Sequence, residues 1–84
     1  MPAFRLVPTR RFEDDFRVLP KKAQGQVLKA LDRIQADPHR GQKLVNVKVG
    51  QWRYRVGDYR VRYDVEGQTV ILHVVRHRKA VYRQ

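Results

Sequence analysis

The fold is decided by residues 52–65, which read WRYRVGDYRVRYDV. Apolar and polar side chains alternate on both sides of Gly57-Asp58, and such alternation is typical of half-buried β-strands. A glycine-first pair between two alternating runs predicts a two-residue hairpin turn. That turn fixes the pairing of the two strands, with Val56 opposite Tyr59, Arg55 opposite Arg60 and Arg53 opposite Arg62.

The four arginines of this hairpin should therefore lie on one face. Like charges directly opposite each other destabilise an antiparallel pair by up to about 1 kcal/mol. The chain has a net charge of +11, and guanidinium groups bind phosphate through two hydrogen bonds. A phosphate-binding face explains this pattern, and from composition alone a solvated face screened by salt explains it equally well. The charge favours a polyanionic partner, nucleic acid rather than a membrane surface.

A short strand and two helices are predicted before the hairpin. Residues 3–7 are apolar apart from Arg5 and are followed by Pro8, as in an edge strand. Thr9 is a candidate helix cap. The first helix has an apolar stripe of Phe12, Phe16 and Leu19. After Pro20, a second stripe of Val27, Leu31 and Ile34 predicts a helix that ends before Pro38.

Strands are predicted for the rest of the chain. Val45, Val47 and Val49 alternate with polar residues and predict one strand. Residues 69–76 are apolar at both parities, which predicts a central strand covered on both sides. We expect one α+β domain over residues 1–84: a short N-terminal strand, a helical hairpin, and a three- to four-stranded antiparallel sheet with the helices on one face. The 84 residues contain no cysteine and no apolar leader, so we predict a cytoplasmic protein without disulfides.

Two histidines lie in or beside the last strand. His73 should join the face that carries Arg60 and Arg62, and His77 should follow it if the alternation continues. Four residues along a strand span about 13 Å, which is too far for the pair to share a metal ion. A half-buried histidine is the simpler interpretation of His73. His77 is the better acid–base candidate, because its unperturbed pKa lies near neutrality.

Two segments together resemble a known family. The run WRYRVGDYRV (residues 52–61), followed by HRKAVYR (residues 77–83), resembles the RelE branch of the RelE/ParE toxin superfamily. The resemblance covers nearly the whole chain and implies a RelE-like fold. It implies a ribosome-dependent endoribonuclease that cuts mRNA in the A site and is neutralised by a cognate antitoxin.

The resemblance also implies roles for individual residues. The implied catalytic residues are Arg53, Arg55, Arg60, His77, Arg78 and Tyr82. Neighbouring residues are expected to bind RNA, namely Arg62, His73, Arg76, Lys79 and Arg83. The sequence departs from the family pattern where arginines replace lysines in the paired positions, and where Arg76 replaces a common glycine.

Cleavage by the 2′-hydroxyl of RNA requires a base, cations that stabilise the phosphorane, and an acid for the departing 5′-oxygen. Arginines can stabilise the phosphorane without a metal, and no carboxylate cluster suited to magnesium accompanies them, so we predict no metal and no cofactor. Arginine is not deprotonated in proteins. The base is therefore His77, Tyr82 or a group of the ribosome. Tyr82 could also stack on a base or simply pack.

Other functions are compatible with the same residues. A ParE-like toxin would inhibit DNA gyrase without cutting RNA, although the ending from His77 to Tyr82 speaks against it. A non-catalytic RNA-binding module would only bind phosphates. A weakened toxin could act mainly as an antitoxin-bound repressor subunit. The expected partners are an acidic RelB-like antitoxin, the ribosomal A site and mRNA. Operator DNA would be contacted only through the antitoxin, and no membrane is expected.

Overall fold

The computed structural model describes residues 4–81, which form a five-stranded sheet and three helices. The elements follow in the order β1 (Arg5–Pro8), α1 (Arg10–Arg17), α2 (Lys21–Ala36), β2 (Gln42–Lys43), β3 (Trp52–Val56), β4 (Tyr59–Glu66), β5 (Thr69–His77) and α3 (Arg78–Val81). The strand order in the sheet is β1-β5-β4-β3-β2. Strands β2 to β5 are antiparallel, and β1 pairs with β5 in parallel. The predicted α+β class is confirmed, and the N-terminal strand adds a fifth strand at one edge.

Both helices begin where the sequence predicts, and α2 ends before Pro38 as expected, whereas α1 ends at Arg17 and leaves Leu19 of the predicted stripe outside it. Thr9 caps α1, since its hydroxyl oxygen accepts a hydrogen bond from the Phe12 amide at 3.2 Å. The same hydroxyl donates to the Leu72 carbonyl at 2.9 Å, so the cap also attaches α1 to β5. Pro20 precedes α2, and Pro38 follows it in a short 3₁₀ turn. No helix within residues 4–81 is long and apolar enough to cross a membrane.

The core lies between the helices and one face of the sheet. Its buried residues are Phe12, Val27, Ala30, Ile34, Val56, Val61, Tyr63, Val70, Leu72 and Val75. Tyr63 is fully buried, and its hydroxyl donates to the Pro38 carbonyl at 2.7 Å. Burial raises the pKa of Tyr63 to about 12. Trp52, Tyr54 and Tyr59 are half-buried against the same core, as their parity predicts.

Helix α1 closes the open edge of β5. Strand β1 pairs with β5 only as far as Leu72, and α1 packs beside the remaining half. There the Asp15 carboxylate accepts a hydrogen bond from the Val75 amide at 3.4 Å. A side chain of α1 therefore replaces part of the backbone pairing that a longer β1 would have made.

The β3–β4 hairpin has the predicted turn and register. Gly57 has φ 58°, a conformation that favours glycine at the first position of such a turn. Strand β2 pairs only with Trp52 and Arg53. Beyond Arg53, β3 therefore has no strand beside it on that side among the described residues.

The strand predicted around Val45, Val47 and Val49 is wrong. Only Gln42–Lys43 is extended and paired, and residues 44–51 form a loop. Asn46 has φ 60° and Gly50 has φ 69°, so the chain turns twice within this segment. Val45 is 85% exposed and Val49 is 61% exposed. Alternation alone did not produce a strand: Val47 is half-buried, but Val45 and Val49 are not covered by the core.

Candidate nucleic-acid interface

Five arginines occupy the sheet face opposite the core, and we call this set the arginine face. Arg55, Arg60 and Arg76 are directly opposite one another across β3, β4 and β5. Arg53 and Arg62 form the adjacent row across β3 and β4. With strands about 4.8 Å apart and rows about 7 Å apart, the five Cα positions lie within a patch about 10 Å wide. The structure thus brings together Arg53, Arg55, Arg60, Arg62 and Arg76. The predicted hairpin register placed the first four on one face, and the family resemblance gave Arg76 an RNA-binding role.

The guanidinium groups differ in how they are held. Arg62 donates from Nε to the Gly50 carbonyl at 2.7 Å, and from Nη2 to the Val49 carbonyl at 3.4 Å. Arg53 donates to the Gln42 side chain, while its Nε is buried without a hydrogen-bond partner in the described part of the chain. Arg55 is exposed and makes no ion pair with a described residue.

One carboxylate from α1 reaches the arginine face. The Asp15 carboxylate lies 3.7 Å from Nε of Arg76. Arg55, Arg60 and Arg76 nevertheless stand side by side in one row, where each like-charged pair costs up to about 1 kcal/mol. Such a row of cations attracts anions electrostatically, and an attraction of this kind weakens as the salt concentration rises.

Asp64 and His73 connect the arginine face to the loop of residues 44–51. The Asp64 carboxylate accepts hydrogen bonds from the Gly50 amide at 2.9 Å and the Gln51 amide at 2.8 Å. It also lies 2.8 Å from Nε2 of His73. Burial alone would raise the pKa of Asp64, but the two amides and His73 together outweigh it and lower that pKa below its ordinary value.

His73 borders a cleft of about 420 Å³, which is also lined by Thr9, Arg11 and Arg62. His73 therefore lies on the arginine face, as its parity predicts. The sequence did not predict that Asp64 would bind the loop. The one available signal was its parity with Arg62, since bonds to backbone amides 13 and 14 residues away leave no pattern in the sequence.

The expectation that His77 continues the parity of His73 is wrong. Arg62 pairs with Val74 while Tyr63 pairs with Leu72, so His73 is an extra residue in β5. This bulge reverses the alternation after His73. As a result, Arg76 joins the arginine face, and His77 lies opposite Tyr59 with the two ring centroids 5.2 Å apart. Nδ1 of His77 accepts a hydrogen bond from the Lys79 amide at 3.1 Å.

The last predicted site residues begin at α3. The Arg78 amide donates to the Asp58 carbonyl at 2.7 Å, which places the start of α3 beside the hairpin turn. The side chains of Arg78 and Lys79 are exposed there. Tyr82 and Arg83 lie outside the described residues, and their predicted roles stay predictions.

The sequence matches a family model described as the ParE toxin of the type II toxin–antitoxin system parDE, over residues 6–82. The chain belongs to the ParE toxin family. This places the toxin in the RelE/ParE superfamily, as its sequence predicts, within type II toxin–antitoxin systems. No curated protein sequence gives a significant match.

The toxin also resembles solved structures. A chain of the RelBE2 toxin–antitoxin complex from Mycobacterium tuberculosis has a TM-score of 0.82 and 25% identity, covering 90% of this chain and 99% of that one. The isolated RelE toxin of E. coli has a TM-score of 0.77 and 20% identity, covering 96% and 98%. A chain of the RelB–RelE complex of Methanococcus jannaschii has a TM-score of 0.73 and 23% identity, covering 92% and 95%. The fold of the toxin is therefore RelE-like over nearly its whole length.

Proposed function

We propose that this toxin is a ribosome-dependent endoribonuclease that cuts mRNA in the A site. The observation that carries the proposal is the row of Arg55, Arg60 and Arg76 across three adjacent strands. Guanidinium groups so close together suit a phosphodiester, whose negative charge increases as it becomes a phosphorane. The similarity in fold to RelE toxins supports the same activity.

In the proposed reaction, the 2′-oxygen attacks the neighbouring phosphorus and the bond to the 5′-oxygen breaks. The products are a 2′,3′-cyclic phosphate and a free 5′-hydroxyl. Arginines stabilise the additional charge in the transition state, and one such fixed donor commonly contributes about 10²–10³ in rate. This chemistry needs no bound metal, so the metal-independent mechanism predicted from the sequence is part of the proposal.

The base that removes the 2′-proton must be a group other than arginine. A neutral His77 keeps its proton on Nε2 while Nδ1 accepts from the Lys79 amide, so it accepts a proton at Nδ1 only when that hydrogen bond opens. Its position opposite Tyr59 also turns it away from the arginine row. The candidates for the base are His77, Tyr82 and a ribosomal group.

The test is to map cuts by primer extension on programmed ribosomes with purified variants. We expect Arg60→Ala and Arg78→Ala to lose growth arrest and at least about 100-fold in cleavage rate. Arg5→Ala, exposed on β1, is the matched control and should keep both. Circular dichroism should show all three variants folded. Soluble, folded Arg60→Ala and Arg78→Ala proteins that still cut mRNA would refute the assignment.

Inhibition of DNA gyrase is the second candidate, because the matching family model is that of ParE toxins. A supercoiling assay with purified gyrase separates the two functions. The endoribonuclease proposal expects unchanged supercoiling and mapped cuts in mRNA. Inhibited supercoiling without mRNA cuts would establish the alternative.

We also propose that an acidic RelB-like antitoxin covers the arginine face. The net charge of +11 supports an acidic partner, and similar chains were solved in complex with RelB antitoxins. Isothermal titration with the antitoxin tests this proposal. Arg55→Ala should weaken binding measurably, and Arg5→Ala should not. Equal affinity of both variants would place the antitoxin elsewhere.

A further inference from the structure

Besides the arginine face, the structure has a basic groove along α2, on the side facing the β3–β4 hairpin. Its two halves have volumes of about 330 Å³ and 240 Å³, and both are lined by Gln26 and Gly57. The Gln26 amide oxygen lies 3.5 Å from the position that a Cβ on Gly57 would occupy. A side chain at Gly57 would therefore contact Gln26 at the place where the two halves meet. We call this feature the helix groove.

We propose that the helix groove binds the backbone of single-stranded RNA that extends from the arginine face. The inference rests on the proposed function, in which RNA is the ligand of that face, and adds a second contact surface. Arg55 makes the connection, because it belongs to the arginine face and also lines the groove.

The charge of the groove carries the inference. Lys22, Lys29 and Arg33 all line it, and the positions 22, 26, 29 and 33 form one stripe along α2. None of these three cations makes an ion pair with a described residue. Lys29 and Arg33 are one turn apart, where like charges destabilise a helix by a few tenths of a kcal/mol. Lys22 lies in the first turn, where the helix dipole disfavours a cation.

The aromatic lining favours RNA over an acidic peptide. Tyr54 and Tyr59 pack against the core, but each remains partly exposed and lines one half of the groove. Basic grooves with aromatic side chains are typical of single-strand binding, since each base can stack on a ring. Asp58 borders the half near Lys22. Cation density is therefore highest in the half that holds Lys29, Arg33 and Arg55, which is the half next to the arginine face.

The test measures binding of a fluorescein-labelled single-stranded RNA of about 12 nucleotides by anisotropy, over a range of salt concentrations. The plot of log affinity against log salt has a negative slope, and each lost phosphate contact reduces the magnitude of that slope by about 0.7 for a single strand. The double variant Lys29→Gln/Arg33→Gln should therefore reduce the magnitude of the slope by about 1.4. Between about 50 and 200 mM salt, its fold-loss of affinity should be about sevenfold smaller than that of the wild type.

The double variant Arg5→Gln/Arg10→Gln removes the same charge from exposed positions on β1 and α1 and should keep the wild-type slope. An unchanged slope in the groove variant, or an equal change in the control, would overturn the inference. So would a groove variant that binds RNA normally but loses affinity for a polyglutamate peptide. The groove variant could show the reduced salt slope while the wild-type toxin makes no cuts in mRNA on programmed ribosomes. That result would refute the nuclease proposal and still identify the helix groove as an RNA-binding site.

Discussion

Asp64→Asn should be among the most destabilising single substitutions on the exposed side of the sheet. The carboxylate accepts from two backbone amides at 2.9 and 2.8 Å and contacts His73 at 2.8 Å. The asparagine oxygen can accept from one amide, but its NH₂ group then faces the other. One charge-assisted hydrogen bond is lost, and such bonds contribute about 1.5–3 kcal/mol.

We therefore expect Asp64→Asn to lower the free energy of unfolding by about 2–3 kcal/mol at pH 7. In a domain of this size, that corresponds to a fall in Tm of roughly 10–20 °C. Urea denaturation followed by circular dichroism measures the change. Glu66→Gln is the matched control, since it removes the same charge from the same strand at an exposed position. It should change stability by less than about 0.5 kcal/mol.

The effect should also depend on pH in a defined direction. Folding lowers the pKa of Asp64, so the carboxylate stabilises the fold fully above about pH 4, the pKa of an unfolded aspartate. That contribution is lost as the pH falls through the lower pKa of the folded state. The wild type and Asp64→Asn should therefore converge in stability below about pH 4. A difference at pH 3 equal to that at pH 7, or equal effects of Asp64→Asn and Glu66→Gln, would refute this reasoning.

Three further substitutions test separate contacts by urea denaturation. Tyr63→Phe should cost about 1–2 kcal/mol, because the buried Pro38 carbonyl loses its donor; no change would mean that water replaces the hydroxyl. Thr9→Ala should lower the free energy of unfolding by about 1–2 kcal/mol, because it removes the α1 cap and the bond to Leu72. Thr9→Ser keeps the hydroxyl and should retain most of the wild-type stability. Val45→Ser should change stability by less than about 0.5 kcal/mol, because Val45 is 85% exposed; a larger loss would indicate that this valine is buried after all.

The hairpin could be predicted from the sequence because local chemistry determines it. Gly57-Asp58 sets the turn, and a two-residue turn leaves only one register that keeps Val56 and Tyr59 on the buried side. The positions of the helices could be predicted for the same reason, because their apolar stripes and the Thr9 cap are encoded within a few residues. Four members of the arginine face follow directly from that register.

The remaining features depend on contacts that are distant in sequence. The bulge at His73 is hidden because β5 is apolar at both parities on either side of this histidine. The alternation therefore does not mark the reversal that turns Arg76 toward the arginine face and His77 away. In the loop of residues 44–51, apolar and polar residues alternate as they do in a strand. Its actual path depends on hydrogen bonds from Gly50 and Gln51 to Asp64, and on the bond from Arg62 back to Gly50.

The incomplete cover of β3 has a consequence for self-association. A strand edge without a neighbour is a template on which a second copy of the same chain can add. In an antiparallel pairing of two such edges centred on Arg55, the two guanidinium-bearing residues would face each other, with Lys29 and Arg33 of both copies close by. Repulsion among these groups opposes such a pairing, so the positive charge that suits a polyanion also works against edge-to-edge association of two copies.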